Sequence, residues 1–589
     1  MNRKIINILF FLIVFSIPFN VIPKIVQLNF IGSGLGKQLL LYPFIIGVIY
    51  TLYWQYKTKD IFIYWKKFSI YMLLIVTVSL ISIILGVIDY PYYSFVKEGP
   101  INQIEKLPIL IALLEKIHLS IDVEYITVLW QVVRSIKGML LSYFYTFGLS
   151  YLIFCWYHNH WKTAIRITIL ASICSFIPVI IYGFVELFHM LKYKEATDIL
   201  ITINPLLHDI RSNDTWWPPL LWEKAQFRSV LAEPSYLGIY GAFILPIIWC
   251  ATFISTKLLS KIFLLLTIFL LSTLLFLAQA RTASILLLGE LILLVVLSIY
   301  LRNKNSLIKG VSIILITALS FYSSNIIFIK IQELEKVQIL SNTVIANNTD
   351  IIEDNTTNTT NTTNTTNTTN TTNTTNTTNT TNTTNTTNTT NTANTANTAN
   401  TTNIKNIGSD ANMESSVKNY INDNVLSVVG NKRSNNARFG IMLADINIGI
   451  EHPILGVGDG LRNAYIPDYI PQSSINNYEI KMWINNMKEK GILKSGFPQL
   501  GEYSSRFSQN GIVGIIIFLA PAFILLFRLI KKSYLGNKNE RIVYGTIIIA
   551  LLAMMASGIG ESLNTVMGYW IILGIGYSVV LKDEKSKIQ

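Results

Sequence analysis

The chain has 589 residues, a mean hydropathy of +0.44, 51% hydrophobic residues and only 14% charged ones. Soluble proteins carry roughly 25% charged residues, so this balance excludes an ordinary soluble domain and points to a membrane protein. The net charge of +13 does not indicate a nucleic-acid binder, because Lys and Arg cluster in short segments between apolar runs, as the positive-inside rule expects.

Apolar runs long enough to cross a bilayer as helices, roughly 18 residues or more, fall near 5–22, 38–55, 68–88, 138–157, 163–186, 236–255, 260–280, 283–301, 308–328, 511–530, 541–558 and 563–581. None alternates, which argues against a β-barrel. The expected fold is all-α and polytopic, with about twelve transmembrane helices. Nine of them lie in 1–328, a large extramembrane loop occupies 329–510, and the last three with a short tail occupy 511–589. The first run follows Met-Asn-Arg-Lys as a signal peptide would, but no small-residue cleavage site comes after it, so it reads as a retained helix. Cys155, Cys174 and Cys250 lie inside apolar runs without metal spacing and read as small buried residues.

The basic residues set the orientation. Lys57, Lys59, Lys66 and Lys67 lie in 56–67; Arg302, Lys304 and Lys309 in 302–309; Arg528, Lys531, Lys532, Lys538 and Arg541 in 528–541. Placing these loops in the cytoplasm puts both termini there too, and puts 89–137, 187–235 and 329–510 outside. In the first of these outer segments Ile104, Leu107, Leu110, Ile111, Leu114 and Ile117 recur at helical spacing. They predict an amphipathic helix lying on the membrane or packed on the protein's own loops. Residues 355–402 repeat Asn-Thr-Thr, drifting to Asn-Thr-Ala. With no apolar residue to build a core, the tract reads as a disordered spacer, although each Asn-x-Thr is formally a glycosylation acceptor.

Four outward-facing elements carry residues capable of chemistry. Arg228 precedes Glu233-Pro234-Ser235 at the mouth of the sixth run, where Pro234 suits a first helical turn and Glu233 suits the positive end of the helix dipole. A capped helix entrance explains these residues but not Arg228. Arg281 sits in a very short turn between two strongly apolar runs. Arginine at membrane depth costs about 2.5–3.5 kcal/mol, so a functional role competes with snorkelling to headgroups. Arg438 precedes a helical stretch ending in Glu451-His452-Pro453 and the glycine-rich Gly456-Val457-Gly458-Asp459-Gly460, whose glycines permit close backbone approach. Glu502 and Arg506 precede Asn510-Gly511-Ile512-Val513-Gly514, and Glu561 lies between the last two runs. Arginine binds phosphate through a permanent two-pronged charge, so Arg228, Arg281 and Arg438 suit a diphosphate, while Glu233, His452 or Glu502 can take a proton from a hydroxyl. No Asp-x-Asp pair or His/Cys cluster suggests a metal, and no cofactor is expected. Trp216, Trp217 and Trp222 can stack on sugars or simply mark the membrane interface.

With these elements in this order, the chain resembles the superfamily of bacterial O-antigen polymerases (Wzy) and O-antigen ligases over most of its length from about residue 120. The Arg228…Glu233-Pro234-Ser235 element resembles the Glu-Pro-Ser signature of exopolysaccharide and capsule polymerases. Arg438…His452-Pro453…Gly456-Val457-Gly458 resembles the superfamily's loop motif, and Asn510-Gly511-Ile512-Val513-Gly514 the block that follows it. Ligases usually carry a His-Asn or His-Ser pair where this chain has Leu500-Gly501, so the resemblance favours a polymerase and leaves the base among Glu233, His452 and Glu502.

The resemblance implies a metal-independent, inverting, C-type glycosyltransferase in the bacterial cytoplasmic membrane with its active face outside. It would join undecaprenyl-diphosphate-linked oligosaccharides into an O-antigen, capsule or exopolysaccharide. Arg228, Arg281, Arg438, Ser235 and Glu561 would bind the substrate, membrane lipids would surround it, and a chain-length regulator would be a natural partner. The alternatives are a ligase-type transferase, or a transporter of polysaccharide or lipid-linked oligosaccharide. Against transport, charge gathers at the outer face; Glu186 and Glu290 are the main exceptions. A chain lacking 355–402 is expected to keep its polymer-forming activity within a few-fold; complete loss of surface polymer would show that the tract does more than space the loop.

Overall fold

The computed structural model describes residues 1–28, 35–59, 64–100, 103–104, 107–118, 122–210, 218–222, 225–360 and 433–581, with side chains as far as Val337 and again from Asn436. The described residues form helices and loops, with no strand among them. In chain order the helices are α1 (Arg3–Phe15), α2 (Leu41–Thr58), α3 (Trp65–Ile88), α4 (Tyr93–Lys97), α5 (Leu107–Lys116), α6 (Val123–Tyr157), α7 (Trp161–Met190), α8 (Lys194–Leu207), α9 (Pro234–Ile254), α10 (Leu258–Leu277), α11 (Arg281–Tyr300), α12 (Lys304–Thr360), α13 (Arg433–Glu451), α14 (Arg462–Tyr469), α15 (Gln472–Ile475), α16 (Tyr478–Lys490), α17 (Glu502–Leu535), α18 (Lys538–Ser557) and α19 (Met567–Val580). Residues 1–328 with 427–589 make one compact unit and 329–426 a second. The residues discussed below belong to the first.

Among the described residues, nine helices are long and apolar enough to cross a membrane: α3, α6, α7, α9, α10, α11, α12 over Lys304–Val337, α17 and α18. The chain is therefore a polytopic membrane protein, helical throughout the membrane-length segments of its described residues. The remaining three apolar runs are helical as well, as α1, α2 and α19, but α1 has 13 residues and α19 has 14. At 1.5 Å per residue each reaches only about 20 Å, short of the roughly 30 Å hydrocarbon thickness. Helix α1 stops before Pro18, whose ring disfavours helical backbone in the residue ahead of it. Residues 355–360 continue α12, and 361–402, the rest of the Asn-Thr-Thr tract, lie outside the described residues.

Helices α6 and α17 start well before their apolar runs. Helix α6 begins at Val123 and α17 at Glu502, so both project beyond the membrane-length segment into a polar lobe. That lobe has its own core: Tyr90, Val96, Ile104, Leu107 and Ile126 from the segment after α3 close on Ala437, Ile441, Ala444, Ile448, Leu461, Tyr465, Ile480 and Phe497. Residues 437–500 thus fold together with 90–126. Helix α5 packs its Leu107, Leu110, Ile111 and Leu114 onto this core, while Ile109, Leu113 and Ile117 on its other side are exposed. Of the two settings expected for this stripe, the protein's own lobe takes it; Ile117 alone stays outside.

Helix α17 breaks at Gly511 (φ 61°, ψ −166°), a backbone region essentially reserved for glycine. The glycine-rich segment after α13 lies against this break. Val457 N–H donates to Ser508 (2.8 Å), Gly458 N–H to Gln509 (2.9 Å), Ile512 N–H to Pro453 (2.9 Å) and Val513 N–H to Ile454 (3.3 Å). A Cβ on Gly456 would strike the 508–510 backbone, and one on Gly511 the Ile454 carbonyl. Gly456 and Gly511 therefore serve backbone-to-backbone approach, whereas Gly460, from the same glycine-rich segment, lines the polar cleft described below. Gly511→Ala combines a forbidden conformation with a backbone clash, and is expected to lower the melting temperature of the purified protein sharply. A melting temperature equal to wild type would contradict the interlock.

The basic loops gather at one end of the bundle. Lys309 Nζ donates to the carbonyls of Phe253 (2.7 Å) and Ser255 (2.9 Å) at the end of α9, and Tyr300 meets Ser533 at 3.2 Å. Helices α9 and α11 start at the opposite end and α18 returns to it, so Glu233, Arg281 and Glu561 lie away from the basic loops.

Candidate active site

Glu233 is the N-cap of α9, with Pro234 opening the helix. Its carboxylate does not cap α9; Oε1 accepts the Ser235 hydroxyl. Arg438, in the second turn of α13, reaches this carboxylate from the polar lobe. Its Nη2 is 3.9 Å from Glu233 Oε1, and its Nη1 donates to Glu561 Oε1 and to the Gly560 carbonyl, each at 3.3 Å. Glu233, Ser235, Arg438 and Glu561, separated by up to 328 positions in the sequence, thus form one cluster. The two carboxylates are largely buried (18% and 10% exposed side chains), whereas the Arg438 side chain is 39% exposed.

Residues 558–566, between α18 and α19, tie this cluster to a second one. Glu502 accepts Ser562 Oγ (2.9 Å) and Leu563 N–H (3.0 Å) on Oε2, while Oε1 accepts Arg506 Nε at 2.7 Å. Arg506 also donates to Tyr143 (3.0 Å), Asn510 (3.2 Å) and Asn564 (3.4 Å), and Asn510 in turn donates to Asp459 at 3.1 Å. Asp459, Arg506, Tyr143 and Asn564 line a polar cleft of about 330 Å³, together with Gln131, Arg134, Lys494 and Gln499. Glu561 and Asn564 are three residues apart, so the cluster and the cleft lie within about 11 Å of each other along this loop. A third buried group, Asp445 with Arg462, Ser505 and Ser508, holds α13, α14 and α17 in register.

The other expected site residues are placed differently. Arg228 is 1% exposed, and its guanidinium donates to the carbonyls of Pro219 (3.0 Å) and Leu220 (3.1 Å) beside the Trp222 ring. Glu186 of α7 accepts the backbone N–H groups of Arg228 and Ser229 (3.2 and 2.9 Å). Arg228 therefore anchors the entry to α9 instead of joining Arg438. His452 is exposed, with its ring edge-on to Tyr465 at 5.9 Å, apart from both clusters. Glu502 is fully buried with both oxygens engaged, which makes it a pillar for the 558–566 loop and a poor base. Arg281 is the first residue of α11, and Gly238 of α9 packs on Ala283, so α11 starts beside the start of α9. Trp216 and Trp217 lie outside the described residues. Sequence reasoning missed Arg506 and Asp459 as cleft residues; the Glu502/Arg506 spacing of four on one helix was the available signal.

Charge in the first cluster is finely set. Burial, and then the neighbouring Glu233 charge, push the Glu561 carboxyl up to about 7 against the opposing pull of Arg438. Burial alone would lower Arg438, but Glu561 and Glu233 reverse this and hold it above its usual range. Burial also raises Asp459, opposed by Arg506. Because Glu561 is raised from 4.5, the folded chain binds more protons than the unfolded chain across this interval. Its contribution to stability is therefore present at low pH and lost as pH rises from about 4.5 to 7. The melting-temperature difference between wild type and Glu561→Gln is expected to fall through that window; a difference independent of pH would contradict the assignment.

Among the described residues, no group of three or more His, Cys, Asp or Glu side chains is arranged to hold a metal ion. What the cluster offers chemically is a partly exposed cation between two carboxylates, one poised near neutrality. No family model, curated protein or solved structure matches the chain.

Proposed function

We propose that the chain is a membrane polysaccharide polymerase, joining lipid-diphosphate-linked oligosaccharides into a surface glycan. The observation that carries this reading is Arg438 held between Glu233 and Glu561 beside a polar cleft, at the end of the bundle opposite the basic loops. With those loops cytoplasmic, this end faces outward, at the level where a lipid-linked glycan presents its diphosphate. Arg438 Nη2 is beyond hydrogen-bond reach of Glu233 at 3.9 Å, so its donors remain available to an anion.

In the proposed reaction the acceptor sugar hydroxyl attacks the donor's anomeric carbon. The bond from that carbon to the diphosphate oxygen breaks, and the electron pair leaves with the diphosphate. The hydroxyl proton passes to the Glu233–Glu561 pair, whose Glu561 member lies close to neutrality as a general base requires. Arg438, with Arg281 at the neighbouring helix start, balances the charge that develops on the leaving group. The cleft at Arg134, Asp459 and Lys494 is large enough to hold the second, acceptor saccharide. The test is to incubate the purified protein with a lipid-diphosphate-linked repeat unit and resolve the products by size. A ladder of multiples supports the reading. Transfer of preformed glycan to a different acceptor, without lengthening, would replace it with a ligase, and movement across vesicles without new bonds with a transporter.

A further inference from the structure

At the basic-loop end, α3, α6, α17 and α19 enclose a second cavity, of about 310 Å³. Its walls are aromatic and aliphatic: Phe68 stacks on Tyr151 at 4.0 Å, with Phe154 and Ile524 nearby. Pro521 of α17 is part of its wall. A proline lacks the N–H that would satisfy the carbonyl four residues earlier. Here the Tyr71 hydroxyl donates to that carbonyl, on Ile517 (3.2 Å), and the Tyr577 hydroxyl donates to the Pro521 carbonyl (2.8 Å). The two tyrosine hydroxyls are thus turned to the backbone around Pro521, and both residues line the cavity.

The mouth of this apolar cavity is cationic. Lys67 and Arg528 border it, and Lys67 lies 5.2 Å from the Tyr64 ring. Neither makes an ion pair among the described residues; Asp60, Asp583 and Glu584 lie outside them. An apolar slot between membrane-spanning helices, bordered at one end by two cations with no ion pair among the described residues, has the polarity of an acyl chain below a phosphate headgroup. The cations stand at the end opposite Arg438, so the diphosphate of the substrate bound there would lie at the wrong end of this slot.

We propose that this cavity is a binding site for an anionic glycerophospholipid of the leaflet facing the basic loops, with an acyl chain along Phe68 and Tyr151 and its phosphate on Lys67 and Arg528. The experiment is native mass spectrometry of the full chain in neutral detergent, given equal amounts of phosphatidylglycerol and phosphatidylcholine with identical chains. A basic residue near an anionic headgroup favours it by about fivefold, so two give a preference of about 25-fold. Lys67→Gln with Arg528→Gln is expected to abolish the preference. Ala520→Trp, which fills the cavity without changing charge, is expected to lose lipid retention. Lys57→Gln with Lys59→Gln, both exposed, keeps the preference and controls for general surface charge. Equal retention of both lipids by wild type, an undiminished preference in the Lys67/Arg528 variant, or wild-type retention by Ala520→Trp would each overturn the proposal. Displacement of phosphatidylglycerol by an equal amount of undecaprenyl phosphate would also overturn it, by assigning the slot to the substrate tail. Should the double variant fail to fold, the Ala520→Trp and single Lys67→Gln chains decide the matter.

Discussion

Arg438→Ala is expected to reduce polymer formation by about 100- to 1,000-fold, the usual loss when one preorganised donor to a developing anion is removed. The size follows from what Arg438 does twice over. It is the cation that allows Glu233 and Glu561 to sit together largely buried, and it keeps exposed donors for the leaving group. Arg438→Lys retains the charge but not the planar fork that reaches Gly560 and Glu561 from one nitrogen and leaves the other free for an anion. Arginine-to-lysine exchange at such a site is not conservative, so only part of the activity returns. Polymer yield per folded protein, with folding checked by melting temperature, measures both variants. Wild-type yield from Arg438→Ala would remove Arg438 from the chemistry.

The second large effect falls on stability. Asp445 is fully buried and accepts from Arg462 Nε at 2.5 Å and Nη2 at 3.0 Å, from Ser505 at 3.0 Å and from Ser508 at 3.0 Å. Removing Asp445 leaves the Arg462 guanidinium buried without its counter-charge, which costs about 3–5 kcal/mol for one member of a buried pair. That is a large part of the 5–15 kcal/mol typical of a folded domain. Asp445→Ala is therefore expected to unfold the polar lobe or to lower the melting temperature steeply. Replacing Asp445 with Leu and Arg462 with Met together, which leaves no charge stranded, should recover much of the loss. Equal destabilisation by the single and double variants would mean that packing, not charge pairing, dominates there.

Much of the helical framework was legible because hydropathy acts locally: each apolar run became a helix. The exceptions have local causes. Helix α1 stops short at Pro18, and part of the last run is drawn into the 558–566 loop by Glu502. The gathering of Glu233, Ser235, Arg438 and Glu561 at one end followed from topology, since all four lie at helix ends or in segments on the same side. What stayed hidden was specific pairing. Nothing local marks Arg506 as the partner of Tyr143, 363 residues away, or Asp445 as the centre of a four-residue network. Arg228 shows the converse case. An arginine at a helix mouth looks functional in sequence, yet carbonyls eight and nine residues upstream accept from both of its terminal nitrogens. Helix α5 illustrates why an amphipathic stripe does not name its partner: the apolar face is the same whether a membrane or a protein lobe covers it.

The most direct test of the proposed polymerase is the surface-glycan profile of a strain lacking this chain, complemented with wild type, Arg281→Ala or Arg438→Ala. A ladder that collapses to a single repeat unit, is restored by wild type and is not restored by Arg438→Ala is the predicted result. An unchanged ladder in the strain lacking the chain would contradict it.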